Sequence, residues 1–329
     1  MKHRIITILT LLFGATLLAA CSSGAATPGT TSGGHDATAA TPEENGSSAG
    51  GSGASFDFES RTVRLNDGNE MPIIGLGTWT QDDETVESSV YHALEDGYRL
   101  IDTARYYGNA AGVQAGVKRA IDDGIVTREE VFITTKIVPS RADDYREAIN
   151  EVNESLDLGY IDLLLIHMQG SDEIPLYRAI EEAIDDGVVH SLGISNYYTA
   201  EDFDRVTDGA RIMPAVIQNE NHPFYQNTGL QQYVSQYGVV MESYYPLGGR
   251  GHTQELFNDE TIAGIAEAHD RTAAQVIVHW HLQAGYIAIP GSSDPGHIAE
   301  NIDVFDFELT DDEMAHLAEL DTGARYENW

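Results

Sequence analysis

Cysteine is almost absent from this 329-residue chain: Cys21 stands alone, so no intramolecular disulfide can form. Lysine is nearly as scarce. Only Lys2, Lys118 and Lys136 occur, and 18 basic residues face 53 acidic ones, a formal net charge of −35. Such a deficit of positive charge repels phosphate backbones and anionic bilayers at long range, which excludes nucleic acid as a partner. Membrane-length apolar runs are missing too. The apolar stretch over residues 5–20 is shorter than the about 20 residues a spanning helix needs. The G-x-G-x-x-G turn of open dinucleotide-binding sheets is also lacking, because Gly75-Leu76-Gly77 runs on to Trp79 and Gln81.

What is there divides into three parts. Residues 1–20 read as a lipoprotein signal peptide: basic Lys2 and Arg4, an apolar run from Ile5 to Leu18, then Ala19 and Ala20 before Cys21. Leu18-Ala19-Ala20-Cys21 resembles the bacterial lipobox, so Cys21 is expected to carry the lipid, and export followed by anchoring to the extracytoplasmic face of a bacterial membrane is expected. Acyl chains in pairs anchor stably, so the expected membrane contact is the lipid anchor only. Residues 21–55 are rich in Ser, Gly, Ala and Thr and read as a disordered tether. Residues 56–329 are expected to form one folded domain, acting as a monomer. Its acidic residues are spread throughout, which reads as adaptation to concentrated salt, where a Debye length of about 3 Å at 1 M makes self-repulsion tolerable.

The domain opens with two strand-like segments, Arg61 to Leu65 and Met71 to Ile74, around the turn signal Asn66-Asp67-Gly68, an N-terminal β-hairpin. Eight short apolar runs then alternate with amphipathic stretches. The runs are Ile74 to Trp79, Arg99 to Thr103, Val131 to Ile137, Ile161 to His167, His190 to Asn196, Ala215 to Glu220, Val239 to Tyr245 and Ile287 to Pro290. The helical stretches include 84–96, 110–123, 142–157, 174–186, 228–237 and 259–283, the last broken near Arg271. This repetition predicts an α/β fold, a (β/α)8 TIM barrel closed by eight parallel strands.

Active sites of such barrels gather at the C-terminal strand ends. There the sequence places Trp79, Asp102, Lys136, His167, Ser195 with Asn196, Gln218 and Tyr244. Each alone has an ordinary structural explanation, such as a satisfied core histidine or a loop cap. Seven strand ends together form a coherent polar set. Lys136 adds weight, since a chain with two other lysines keeps one where an apolar strand meets the barrel mouth.

The segment Gly97-Tyr98-Arg99-Leu100-Ile101-Asp102-Thr103-Ala104-Arg105-Tyr106-Tyr107-Gly108-Asn109 resembles the stretch of the aldo-keto reductases that carries their catalytic Asp and Tyr. Leu158-Gly159-Tyr160-Ile161-Asp162-Leu163 leading to His167, and Gly193-Ile194-Ser195-Asn196, are similar to the next two signatures of that family, and the prokaryotic type of diketogluconate and aldehyde reductases is the one resembled. The resemblance covers roughly residues 61–325. It implies NAD(P)H-dependent reduction of small aldehydes or ketones, with Asp102, Tyr107, Lys136 and His167 as the catalytic four and no metal. Tyr106 competes with Tyr107, and the family spacing of five from the aspartate selects Tyr107.

The chemistry of that quartet stands on its own. A carbonyl that accepts hydride develops an alkoxide, which needs a proton within reach. A phenol has a pKa of about 10, and an adjacent ammonium is expected to lower it while a carboxylate keeps the ammonium charged. His167 orients the carbonyl oxygen. By the same resemblance Ser195, Asn196 and Gln218 bind the nicotinamide carboxamide, Asp102 borders it, Tyr244 stacks on the ring, and Leu247 covers the pyrophosphate. Ser292, His297, Glu300 and Asn301 are implied at the adenosine end, and Trp79, His167 and Met168 at the substrate rim. Trp329 is a candidate for that rim as well.

Two departures bear on specificity. Gly291-Ser292 and His297 stand where many relatives place Lys-Ser and Arg around the 2′-phosphate, so the expected cofactor is NADPH or NADH, without a strict preference for NADPH. Met168-Gln169 follows His167 where an aromatic residue and proline are common, which makes the rim adaptable. A non-catalytic nucleotide- or ligand-binding lipoprotein, a sensor or partner subunit on the same barrel, is the alternative. A barrel glycosidase ranks third, since it needs paired carboxylates at strand ends and only Asp102 fits.

Overall fold

The computed structural model describes residues 54–140 and 144–327. The expected signal peptide, Cys21, nearly all of the expected tether and Trp329 lie outside the described residues. The described chain starts with a three-stranded antiparallel sheet, β1 (Phe56–Asp57), β2 (Thr62–Arg64) and β3 (Glu70–Pro72). The expected hairpin is β2–β3, and β1 adds a strand the sequence pattern did not reveal, being two residues long. Gly68 takes φ +94 at the turn, a conformation that suits glycine. Val63, Leu65 and Met71 bury their side chains, and Asn66 and Asn69 donate to Pro214 O and Ser191 Oγ at 2.9 Å each. Those acceptors precede or begin barrel strands, so the hairpin covers the N-terminal face of the barrel.

Eight parallel strands follow: β4 (Leu76–Gly77), β5 (Leu100–Asp102), β6 (Phe132–Ile137), β7 (Ile161–Ile166), β8 (Val189–Ser195), β9 (Val216–Glu220), β10 (Val240–Tyr244) and β11 (Tyr286–Ala288). Each pairs with its sequence neighbours. A parallel bridge between Ile74 and Ala288, with Gly75 N donating to Ala288 O at 2.9 Å, joins the last strand to the first. The sheet is therefore a closed barrel. Strands such as β6 are buried at every residue, which is why they read as continuous apolar runs rather than alternating ones.

The helices are α1 (Asp83–Glu95), α2 (Ala110–Asp122), α3 (Tyr145–Leu156), α4 (Glu173–Asp185), α5 (Ala200–Thr207), α6 (Thr228–Ser235), α7 (Thr253–Phe257), α8 (Glu260–His269), α9 (Ala273–Gln283), α10 (Pro295–Ile302) and α11 (Asp311–Ala318). The break near Arg271 is real: Asp270 ends α8 at φ +54 and Thr272 opens α9 with a capping box. The pattern did not single out α5, which is eight residues long and buries only Phe203 and Val206. Packing of α1 on α2 is close, since a Cβ on Gly112 would lie 2.2 Å from Asp83 O. That contact holds the loop between β5 and α2 over the barrel mouth.

Candidate active site

Every polar strand end named from the sequence comes to the C-terminal mouth of the barrel, and all but Lys136 line a cleft of ≈ 1180 Å³. At its base lies Lys136, fully buried on β6. The three N–H bonds of its ammonium are all taken: Nζ donates to Asp102 Oδ1 at 2.5 Å, to Thr103 O at 3.0 Å and to the Tyr107 hydroxyl at 3.1 Å. Burial works against the ammonium, but Asp102 and Tyr107 more than compensate and raise its pKa above the usual lysine value. Asp102 is pushed up by burial and drawn back by Lys136 and Gln218.

Tyr107 ends a 3-10 turn, Arg105–Tyr107, that follows β5 and is closed by Gly108 at φ +69. Its ring lies against Trp79 (4.7 Å between centroids) and His167 (5.8 Å). Because its oxygen accepts from Lys136, its own hydrogen is left to point into the cleft. Tyr106 lies 67% exposed and stacks on Trp79, away from the ammonium. The expectation that Lys136 brings the phenol below its ordinary pKa is corrected here. Burial pushes it up to about 12, and Lys136, the largest opposing influence, recovers only part.

His167 is pulled down to about 3 by burial and the charge of Lys136, so its imidazole is neutral. Its Nδ1 is buried without a partner. Asn196 holds the segment, donating from Nδ2 to His167 O at 2.8 Å and to Ser195 Oγ at 3.2 Å. Asn196 Oδ1 accepts from the Tyr244 hydroxyl at 2.8 Å, which fixes the ring of Tyr244. The Asn196 amide is thus already engaged within the protein. Gln218 Nε2 donates to Asp102 Oδ2 at 2.8 Å and to Glu242 Oε2 at 2.7 Å, so both its N–H bonds are committed and Oε1 is left as an acceptor.

Leu247, Ser292, His297, Glu300 and Asn301 border the far arm of the same cleft, and Trp79 and Met168 its rim. Asp294, which was not anticipated, caps α10 there and accepts from Gly296 N at 2.8 Å and His297 N at 3.1 Å. Other functional neighbours were missed as well. Buried Asn109 ties the Tyr107 loop to the loop after β4, donating to Thr78 O at 3.0 Å and Gln81 O at 3.1 Å. Tyr245, at φ +53, places its hydroxyl between Trp79 and Glu327. Glu220 accepts from Tyr326 N at 2.6 Å and Glu327 N at 3.0 Å, which ties the C-terminal segment beside the cleft. Only the last could have been suspected, as an acidic residue closing an apolar strand.

The arrangement combines a proton donor, a cation beneath it, a neutral imidazole and an elongated cleft with amide and aromatic groups at one end. The chemistry of those groups fits a nicotinamide cofactor: a planar ring suits Tyr244, and a carboxamide finds an acceptor at Gln218 and a hydroxyl at Ser195. The profile of the Aldo/keto reductase family matches residues 73–322. The NAD(P)H-dependent D-xylose reductase I,II of Candida tropicalis is 35% identical over 304 residues, covering 80% of this chain and 94% of that protein. The methylglyoxal reductase of Escherichia coli is 37% identical over 268 residues, covering 80% and 94%. The crystal structure of a Bombyx mori aldo-keto reductase in complex with NADP superimposes with a TM-score of 0.76 at 32% identity, covering 81% of this chain and 94% of that one. With a matching profile over most of the folded domain and relatives aligned nearly end to end, this chain belongs to the aldo/keto reductase family.

Proposed function

We propose that this chain reduces small aldehydes and ketones with a reduced nicotinamide cofactor, Tyr107 being the acid and Asp102, Lys136 and His167 its partners. The observation that carries these roles is the saturation of the Lys136 ammonium, which accounts for all three of its hydrogens and leaves the Tyr107 hydrogen for the cleft. When bound, the cofactor supplies hydride to the carbonyl carbon. Tyr107 then protonates the oxygen, and Lys136 stabilises the phenolate that remains. A phenol at about 12 still gives its proton to an alkoxide, which is the stronger base, and keeps it at neutral pH until needed. His167 lacks an acceptor at Nδ1, which favours a proton on Nε2 for donation to the carbonyl oxygen. Ser195 and the Gln218 oxygen would hold the carboxamide, and Tyr244 its ring. Purified protein given reduced cofactor and a panel of small carbonyl compounds should oxidise the cofactor. Cofactor binding with no turnover on any of them would support the sensor or partner subunit instead.

The cofactor is expected to be NADH at least as readily as NADPH. Two fixed cations are missing around Ser292 and His297, each worth about 1.5–3 kcal/mol to a 2′-phosphate. The Asp294 carboxylate also occupies the start of α10, using N–H groups that an anion would otherwise take. A kcat/KM ratio at or above one for NADH over NADPH is the expected measurement; a several-hundredfold advantage for NADPH would refute it.

Export and lipid anchoring at Cys21 remain our reading of the N-terminal sequence, with the anchor tested by labelling with a radioactive fatty acid before and after Cys21→Ala. The acidic composition leads to a further expectation. Stability should rise steeply between dilute buffer and molar salt as the net charge of −35 is screened. A melting temperature indifferent to salt removes the halophilic reading.

A further inference from the structure

Glu242 is used by none of the chemistry above, yet it sits in the barrel interior one hydrogen-bond link from the quartet. It lies on β10, fully buried, in register with Gln218 on β9. The Gln218 amide nitrogen bridges the two carboxyl groups, Asp102 Oδ2 at 2.8 Å and Glu242 Oε2 at 2.7 Å. The charged and titratable groups around this bridge are Asp102 on β5, Lys136 on β6 and, beyond the lysine, Tyr107. One cation thus serves two carboxyls. Lys136 contacts Asp102 directly and is 2.5 Å away, whereas the other oxygen of Glu242, Oε1, is buried with no partner. A second anion at such a place would carry unpaired charge in a medium that solvates it poorly, which costs far more than an unpaired neutral carboxyl.

We propose that Glu242 is a positioning residue that retains a proton in the working enzyme, leaving Asp102 as the one carboxylate of the bridge that Lys136 must balance and so preserving the field of Lys136 at the Tyr107 oxygen. The kinetic consequence rests on the reductase reading; the protonation state does not. When Glu242 ionises, the trio of Asp102, Lys136 and Glu242 becomes net negative, the phenol holds its proton more tightly, and reduction slows. Burial, with Asp102 second, pushes the Glu242 carboxyl up to about 8, which puts this change in the mildly alkaline range.

Two measurements test it. In wild-type protein labelled with 13C at the glutamate carboxyl carbons, infrared difference spectra should show one protonated glutamate at pH 7 that titrates away by about pH 9, and the band should be missing in Glu242→Gln. The native state keeps a proton that the unfolded chain releases near pH 4.5, so the contribution of Glu242 to wild-type stability falls with rising pH between about 4.5 and 8. The melting temperature of Glu242→Gln should therefore gain on that of wild type across this window. In kcat/KM against pH, the variant should lose the alkaline decline near pH 8. Absence of a protonated glutamate band at pH 7 in the wild-type protein overturns the proposal even if the variant does not fold. A band with no carbonyl reduction at any pH would instead defeat the reductase reading and leave the protonation intact.

Discussion

Tyr107→Phe should lower kcat for carbonyl reduction by about 10²–10⁴-fold, the range that a positioned general acid contributes. The substitution removes one oxygen and leaves the ring packed on Trp79 and His167, so the cleft keeps its shape. Affinity for reduced cofactor, read by fluorescence titration, should change by less than about threefold, because the residues that would hold the nicotinamide are elsewhere. A fall in kcat with unchanged cofactor binding separates loss of the acid from loss of the site. The same change at exposed Tyr106 should leave most of the activity. Turnover within tenfold of wild type in the Tyr107 variant would remove the phenol from the mechanism.

Lys136→Met should affect folding as well as rate. The side chain is of similar length, but Asp102 is left as a buried carboxylate for which Gln218 is, among the described residues, the one remaining direct side-chain donor. Breaking a buried pair at one end costs about 3–5 kcal/mol, a large part of the roughly 5–15 kcal/mol by which a domain is stable. Denaturant titration should show that loss. Adding Asp102→Asn removes the orphaned charge, so the double variant should regain most of the stability while turnover stays at background. If the double variant were as unstable as the single one, packing of the lysine stem rather than its charge would explain the loss. If either variant kept near-normal kcat, the ammonium would have no role in the chemistry.

The barrel was readable because each βα unit writes its own period: an apolar run buried on both faces, then a helix with one apolar stripe. The quartet was readable because three of its members end such runs and the fourth follows Asp102 at fixed spacing. Other parts had no local signature. Glu242 lies between Met241 and Ser243 at the middle of β10 and looks like any polar residue in a strand; pairing of β10 with β9 sets it beside Gln218, and only closure of the barrel brings Asp102 to them across the interior. Asn109 gains its meaning from a loop 28 residues away at Gln81. The direction of the Tyr107 shift differs from the sequence expectation because the sequence shows a cation nearby but not how far the partly buried phenol is withdrawn from water. Electrostatic neighbours can be inferred from pattern more readily than desolvation, which depends on everything packed around the group.

The hairpin across the N-terminal face also decides how the enzyme could be held. The described chain enters the barrel beneath its floor, at the pole opposite the cleft. A resin bead coupled directly at residue 54, where the described chain begins, would face that floor and leave the mouth turned outward toward the surrounding fluid. Small carbonyl compounds would then diffuse in without passing the support, and the rate per molecule of an immobilised preparation should equal that of one in solution.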